Sequence, residues 1–146
     1  MKKITVFLSC FLTIMVSCSD DGVFNTLSEE PLSGIVFGEN FAISGGRATV
    51  FGDEYIELML ASEVLDCETE VQNSSLSVSI AVPNRVGVHR NVLVVFNKFE
   101  EEPITEVDAL VEITEVNDFI VSGKIRSSDT DSNRVEGSFE VSICSR

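Results

Sequence analysis

Apolar and polar residues alternate along many stretches of this chain, and this period of two constrains the fold more than any other feature. The clearest stretch runs from Leu76 to Val82, where Leu, Val and Ile occupy every second position between serines and Ala81. Successive side chains of a β-strand point to opposite faces, so the pattern predicts a strand with one face in the core. No stretch keeps a helical period long enough to predict a helix.

Similar runs recur and predict a chain made mostly of strands. Ala109–Thr114 and Phe119–Arg126 flank Asn117-Asp118, a dipeptide that tolerates positive φ and closes tight hairpins. Val135–Ile143 predicts a last long strand. About eight strands with hairpin-length loops indicate one all-β domain, an antiparallel sandwich or a flattened barrel. We expect the sandwich, because barrel closure cannot be inferred from a pattern.

Three segments of the body depart from simple alternation. Asn91–Phe96 is apolar at consecutive positions, which predicts a central strand that is covered on both faces or packed beneath another sheet. The residues before it, Asn84–Arg90, predict a surface loop that carries the only histidine, His89. Ser62–Ser75 is the least regular stretch, and we expect a long loop there rather than a helical turn.

The first residues have the composition of an export signal. Lys2 and Lys3 are followed by Ile4–Val16, an apolar run shorter than the roughly 20 residues that span a bilayer. The run ends in Met15-Val16-Ser17-Cys18. This ending resembles the lipobox of bacterial lipoproteins, and the following Ser19-Asp20-Asp21 resembles the surface-export signal of lipoproteins from Bacteroidetes-type bacteria.

The resemblance to small β-rich surface lipoproteins extends loosely to Val121–Ile125 and Val135–Phe139. It implies removal of residues 1–17, lipidation of Cys18 including palmitate-type acylation, an acidic tether over 18–31 and an all-β domain over 32–146. It also implies a membrane partner through the lipid anchor, in the outer membrane and exposed at the cell surface. Several acyl chains would make that anchoring stable.

The charge balance excludes one class of partner. Once Lys2 and Lys3 are removed with the signal, 8 of the 10 basic residues remain together with all 24 acidic ones. The net charge of this mature chain is about −16 with His89 neutral. Such a surface repels nucleic acid. We therefore expect no nucleic-acid binding.

Cys67 and Cys144 remain once Cys10 is removed with the signal and Cys18 is lipidated. An isolated pair in an exported protein predicts a disulfide, with two buried thiols as the alternative. A bridge closing a loop of about 77 residues would stabilise the domain by roughly 4 kcal/mol.

Three places could carry chemistry. Asp129, Asp131 and Asn133 resemble the opening of an EF-hand loop, but Arg134 stands where the turn-making glycine is needed, which leaves only a weak surface calcium site. His89 has no nucleophile or ligand companion at suitable spacing. The loop acids Glu63, Asp66, Glu68, Glu70 and 100–102 could serve a glycosidase only if two of them converged in a cleft.

These observations predict no cofactor and no catalytic residue. The leading interpretation is a non-enzymatic binding or accessory module of the bacterial envelope, whose partner is an envelope protein or a glycan. A glycan-acting hydrolase using loop carboxylates and a structural envelope component stay open as alternatives. The hydrolase requires two carboxylates in one pocket with at least one perturbed pKa.

Overall fold

The computed structural model describes residues 26–69, 76–127 and 130–145 and shows an all-β protein. The prediction of an all-β fold is confirmed. Nine strands follow one another: β1 (Ser33–Val36), β2 (Glu39–Ala42), β3 (Gly45–Phe51), β4 (Tyr55–Ala61), β5 (Ser77–Pro83), β6 (Gly87–Asn97), β7 (Ile104–Val116), β8 (Ile120–Arg126) and β9 (Arg134–Ile143).

The sheet closes on itself because β9 pairs along both of its edges. One edge pairs with β8, and the other meets β3 in parallel through Arg47↔Ser142 and Ala48↔Ile143. The strands β3 to β9 therefore form a closed seven-stranded barrel, while the β1–β2 hairpin adds to β9 through β1. This single closed sheet agrees with the barrel alternative and does not confirm the sandwich. The parallel β3–β9 pair also departs from the expected antiparallel sheet.

The inward residues of the strands fill the barrel. At about eight strands, a barrel interior is just wide enough for side chains to occupy it. Complete burial of each Val, Leu, Ile or Phe contributes about 1.5–3 kcal/mol. The largest fully buried side chains of the barrel strands are Ile56, Leu58, Leu60, Val78, Ile80, Val82, Phe96, Ile113 and Ile125, and Leu32, Val36 and Phe41 of the added segment 32–42 are buried with them.

The predicted hairpin over 109–125 is confirmed, with Val111 opposite Ile125 and Ile113 opposite Gly123. Its turn is stabilised by side-chain hydrogen bonds and not by positive φ angles. The Asn117 side-chain Oδ1 accepts hydrogen bonds from the amides of Phe119 at 2.8 Å and Ile120 at 2.9 Å, and neither Asn117 nor Asp118 has positive φ. Phe119 consequently lies in the turn with 77% of its surface exposed, so its assignment to the alternating strand is wrong.

Two predictions about β6 are also wrong. The strand begins at Gly87, so His89 lies in a strand rather than a surface loop, and its side chain is only 8% exposed. Leu93 is 43% exposed, so the apolar run of β6 is not covered on both faces. The physical reason is the closed sheet, in which the inner face of a strand meets the core and the outer face meets solvent.

The start of the described chain packs on the barrel wall. Leu27 is buried, and the Ser138 amide donates a 2.7 Å hydrogen bond to the Glu30 carbonyl. The Lys124 ammonium pairs with the Glu29 carboxylate, and this hydrogen bond raises the pKa of Lys124 above its ordinary value. Residues 26–31 of the predicted tether therefore lie against β8 and β9.

Candidate functional site

The barrel wall parts between β5 and β6. Their registered pairing extends from Ser77↔Asn97 to Ile80↔Val94 and ends there. Beyond it β5 continues only to Pro83, whereas β6 reaches back as far as Gly87. The longer arm of β6 follows β7 instead, through Gly87↔Ile113 and His89↔Val111. The unequal arms of this hairpin therefore open a gap on its outer side.

A β-bulge shapes the β6 side of this gap. The β6–β7 register runs from His89↔Val111 to Val92↔Ala109, so three steps along β6 match two along β7. Asn91 takes up the extra residue with φ of 55°, in the left-handed region that asparagine tolerates better than most residues. Bulges of this kind re-aim neighbouring side chains and are frequent beside functional sites.

The gap is a surface pocket of about 440 Å³, which we call the β5–β6 cleft. Apolar side chains line it together with two arginines, Arg85 and Arg90. Val88 is 55% exposed and Leu93 is 43% exposed. The apolar lining residues are Ala81, Pro83, Val88, Val92 and Leu93.

The apolar surface continues beyond the cleft along the outer wall. Val95 and Leu93 line a smaller hollow of about 80 Å³ over β4, β5 and β6. On the other side, Tyr55 pairs with Pro83 in register and stacks on Phe51, with ring centroids 4.6 Å apart. An exposed apolar strip that crosses several strands is a common property of interaction surfaces.

The charge of the cleft is opposite to that of the chain. The full sequence carries a formal net charge of −14, yet no acidic residue is among those that line this cleft. Arg85 is exposed, and within residues 26–69, 76–127 and 130–145 it forms no ion pair. The cleft therefore combines exposed apolar side chains with local positive charge.

Backbone contacts hold Arg85 in place. Its amide donates to the Pro83 carbonyl at 2.8 Å, and its own carbonyl lies 3.1 Å from Nε2 of His89. A carbonyl oxygen only accepts, so the imidazole donates from Nε2. His89, expected to be an isolated surface residue, thus fastens the β5–β6 loop to β6.

The predicted disulfide is present. The Sγ atoms of Cys67 and Cys144 lie 2.07 Å apart, with a Cα–Cα distance of 5.2 Å. The bridge joins the irregular loop 62–69 to the end of β9, as expected of a loop fixed by a disulfide. Cys18, the predicted lipid site, lies outside the described residues.

The calcium candidate is described only in part, because Asp129 lies outside the described residues. Asp131 is exposed, whereas Asn133 is 5% exposed and accepts a 2.8 Å hydrogen bond from the Phe37 amide through Oδ1. Asn133 therefore joins the start of β9 to the β1–β2 turn. Within the described ranges no group of three His, Cys, Asp or Glu side chains is placed to hold a metal ion.

The loop acids do not converge in the part of the chain that the structure describes. Asp66 Oδ1 accepts from the Thr69 hydroxyl at 2.6 Å and from the Glu68 and Thr69 amides. The Thr69 hydroxyl, followed by these amides, lowers the pKa of Asp66, the opposite of what a general acid needs. Glu70 lies outside the described residues. Four pockets of the described chain each contain at most one acidic residue.

No protein-family model, curated protein or solved structure matches this chain. Among the described residues, no helix has the length and apolar character needed to cross a membrane.

The β5–β6 cleft was not predicted, although two signals for it are present in the sequence. Arg85 and Arg90 are close together in an acidic chain. The apolar run of β6 has apolar side chains on both faces, whereas a barrel made of one sheet buries only the inner face. These two signals indicate a cleft only once the unequal strand lengths of the β5–β6 hairpin are known.

Proposed function

We propose that the protein is a lipid-anchored, non-enzymatic binding or accessory module of the bacterial cell envelope, with the β5–β6 cleft as its binding surface. The observation that carries this proposal is the exposed apolar wall formed by Val88 and Leu93 next to Arg85 and Arg90. Exposed aliphatic side chains beside positively charged side chains are suited to binding another molecule.

The anchoring part of the proposal is supported by the lipobox-like Met15–Cys18 and the acidic residues after it. Lipidation of Cys18 would hold the barrel at the outer membrane, and we place it at the outer surface. The Cys18→Ala variant should leave the membrane fraction or stay uncleaved. Unchanged fractionation and unchanged metabolic labelling with palmitate would refute the lipid site.

Affinity capture of the lipidated protein from its native membrane in mild detergent tests the binding surface. We compare wild type with Leu93→Glu, which introduces a charge at the centre of the strip. Phe119→Glu is the matched control, since Phe119 is 77% exposed and does not line the cleft.

Mass spectrometry should find a stoichiometric partner with wild type and with Phe119→Glu, and lose it with Leu93→Glu. Absence of any partner with wild type, or a partner that Leu93→Glu retains, would count against the cleft as the binding surface.

A further inference from the structure

Resting on the proposed function, we propose that the cleft binds an extended segment of a partner protein that carries both carboxylate and aliphatic side chains on one face. The segment lies along the β6 edge, with its carboxylates on Arg85 and Arg90 and its aliphatic side chains on Val88 and Leu93. Val88, Arg90 and Leu93 all lie on the outer face of β6. Every second side chain of an added strand lies on that same face, so carboxylate and aliphatic residues at every second position of one extended segment supply both kinds of contact.

The β6 edge is the side of the cleft to which a strand can add. Between Gly87 and Val92 the strand pairs with β7 on one side, and its other side faces the cleft because the β5–β6 ladder has ended at Ile80↔Val94. The opposite wall is less suitable, since β5 ends in Pro83, which has no amide proton to donate. Strand addition to such an edge is a common mode of peptide recognition.

Charge selects an acidic segment over a basic one. Arg85 and Arg90 line the cleft, and the acids nearest in register stand on the neighbouring strands, Glu57 opposite Ala81 and Glu112 opposite Val88. Glu112 also lies 3.8 Å from the Lys124 ammonium. At physiological salt the Debye length is about 8 Å, so acids beyond that distance act weakly, and the charged residues that line the cleft itself are Arg85 and Arg90. Glu57 lines the neighbouring hollow, so the carboxylates of the segment belong beside the arginines and its aliphatic side chains over the hollow.

The open shape of the cleft favours a protein segment over an enclosed small molecule. Drug-sized ligands are generally buried over 70–90% of their surface, a degree of enclosure that an open groove does not supply. Here the two apolar side chains that flank the arginines remain 43% and 55% exposed. A segment that continues past the cleft in both directions can cover them and reach the hollow beside Val95.

The test uses full-length protein in mild detergent and fluorescence anisotropy with three labelled peptides. In each peptide, leucine and a test residue take turns at every second position with threonine between them, and the test residue is glutamate, glutamine or lysine. The protein variants are wild type, Arg85→Gln/Arg90→Gln and the control Arg126→Gln, whose arginine lies on β8 and lines a different pocket.

Wild type should bind the glutamate peptide about two- to thirtyfold more tightly than the glutamine peptide, the range that two exposed ion pairs supply. The preference should weaken as salt is raised, disappear in Arg85→Gln/Arg90→Gln and persist in Arg126→Gln. Equal binding of the glutamate and glutamine peptides, tighter binding of the lysine peptide, or a preference that survives the double substitution would overturn the inference.

This inference can fail separately from the proposed function. A captured partner that is lost with Leu93→Glu, together with no preference for the glutamate peptide, would keep the cleft as a binding surface and refute the acidic segment. Arginine-dependent peptide binding without a captured partner would support the segment chemistry and count against the accessory role.

Discussion

The imidazole Nε2 of His89 donates a hydrogen bond to the carbonyl oxygen of Arg85 across 3.1 Å. This contact joins a nearly buried side chain of β6 to the loop that precedes it, at the end of the hairpin where β5 and β6 have parted. The wall of the barrel is therefore open at the cleft but closed again at its end. The contact also fixes the backbone position from which the Arg85 side chain extends.

Replacement of His89 should loosen this end of the barrel. His89→Ala removes both the donor and most of a side chain that is 8% exposed, and we expect the free energy of unfolding to fall by about 1–3 kcal/mol. Arg85→Ala keeps the backbone acceptor and removes only an exposed side chain, so it should change stability by less than about 0.5 kcal/mol. Urea unfolding measures both, and equal midpoints for the two variants would contradict the role given to His89.

The disulfide should account for a large part of the stability of the domain. Cys67→Ser/Cys144→Ser removes a cross-link between residues 77 apart, and we expect a loss of about 2–4 kcal/mol. Denaturant unfolding of the oxidised wild type, the reduced wild type and the double variant measures the loss. The two forms that lack the bridge should unfold alike, and reductant should not affect the double variant. If the oxidised wild type unfolds at the same denaturant concentration as these two forms, the disulfide does not contribute to stability.

Asp66 should make the disulfide loop sensitive to acid. The Thr69 hydroxyl and two backbone amides hold the pKa of Asp66 below its ordinary value of 3.8, so the carboxylate stabilises the folded loop above that value. The contribution is lost as pH falls through the lowered pKa of the folded state. The amide resonances of Glu68 and Thr69 should titrate by NMR with a midpoint below 3.8, and Asp66→Asn should abolish this titration. A midpoint above 3.8 would contradict the contacts.

The alternation of residues was enough to predict the strands but not their closure. Leu76–Val82, Ala109–Thr114 and Val121–Arg126 contain the period of two that local sequence determines, and strands are present at all three. The β3–β9 pair that closes the barrel joins Arg47 to Ser142, residues far apart in the chain whose pairing no local pattern encodes. Because barrel closure cannot be inferred from a local pattern, the sequence favours the sandwich.

The predictions for single residues of β6 were wrong because the burial of a residue depends on packing outside its own strand. Leu93 and Val94 are both apolar, and only the closed sheet determines that Val94 is buried and Leu93 exposed. The cleft depends on a difference in strand length around the turn after Pro83, together with an extra residue at Asn91. Neither feature has a distinctive composition, so the sequence alone indicates the cysteine pair but not the cleft.

Gly123 provides a test of how tightly the closed wall is packed. It lies in β8 between Ile113 of β7 and Phe139 of β9, its register partners. A Cβ atom placed on it would lie 2.4 Å from the Glu112 carbonyl oxygen and 2.9 Å from Cζ of Phe139. The Phe139 ring thus occupies the space that a side chain would need, an arrangement in which an aromatic residue covers a cross-strand glycine.

Gly123→Ala should therefore destabilise the barrel, because the contact with Glu112 involves backbone that cannot turn away. We expect a loss of about 1–3 kcal/mol in urea unfolding, the usual cost of overpacking. Ser122→Ala is the matched control on the same strand, and it removes only an exposed hydrogen bond to Glu140 and should cost less than about 0.5 kcal/mol. A Gly123→Ala protein as stable as the control would show that β7 and β8 can separate locally, and would contradict the tight closure described here.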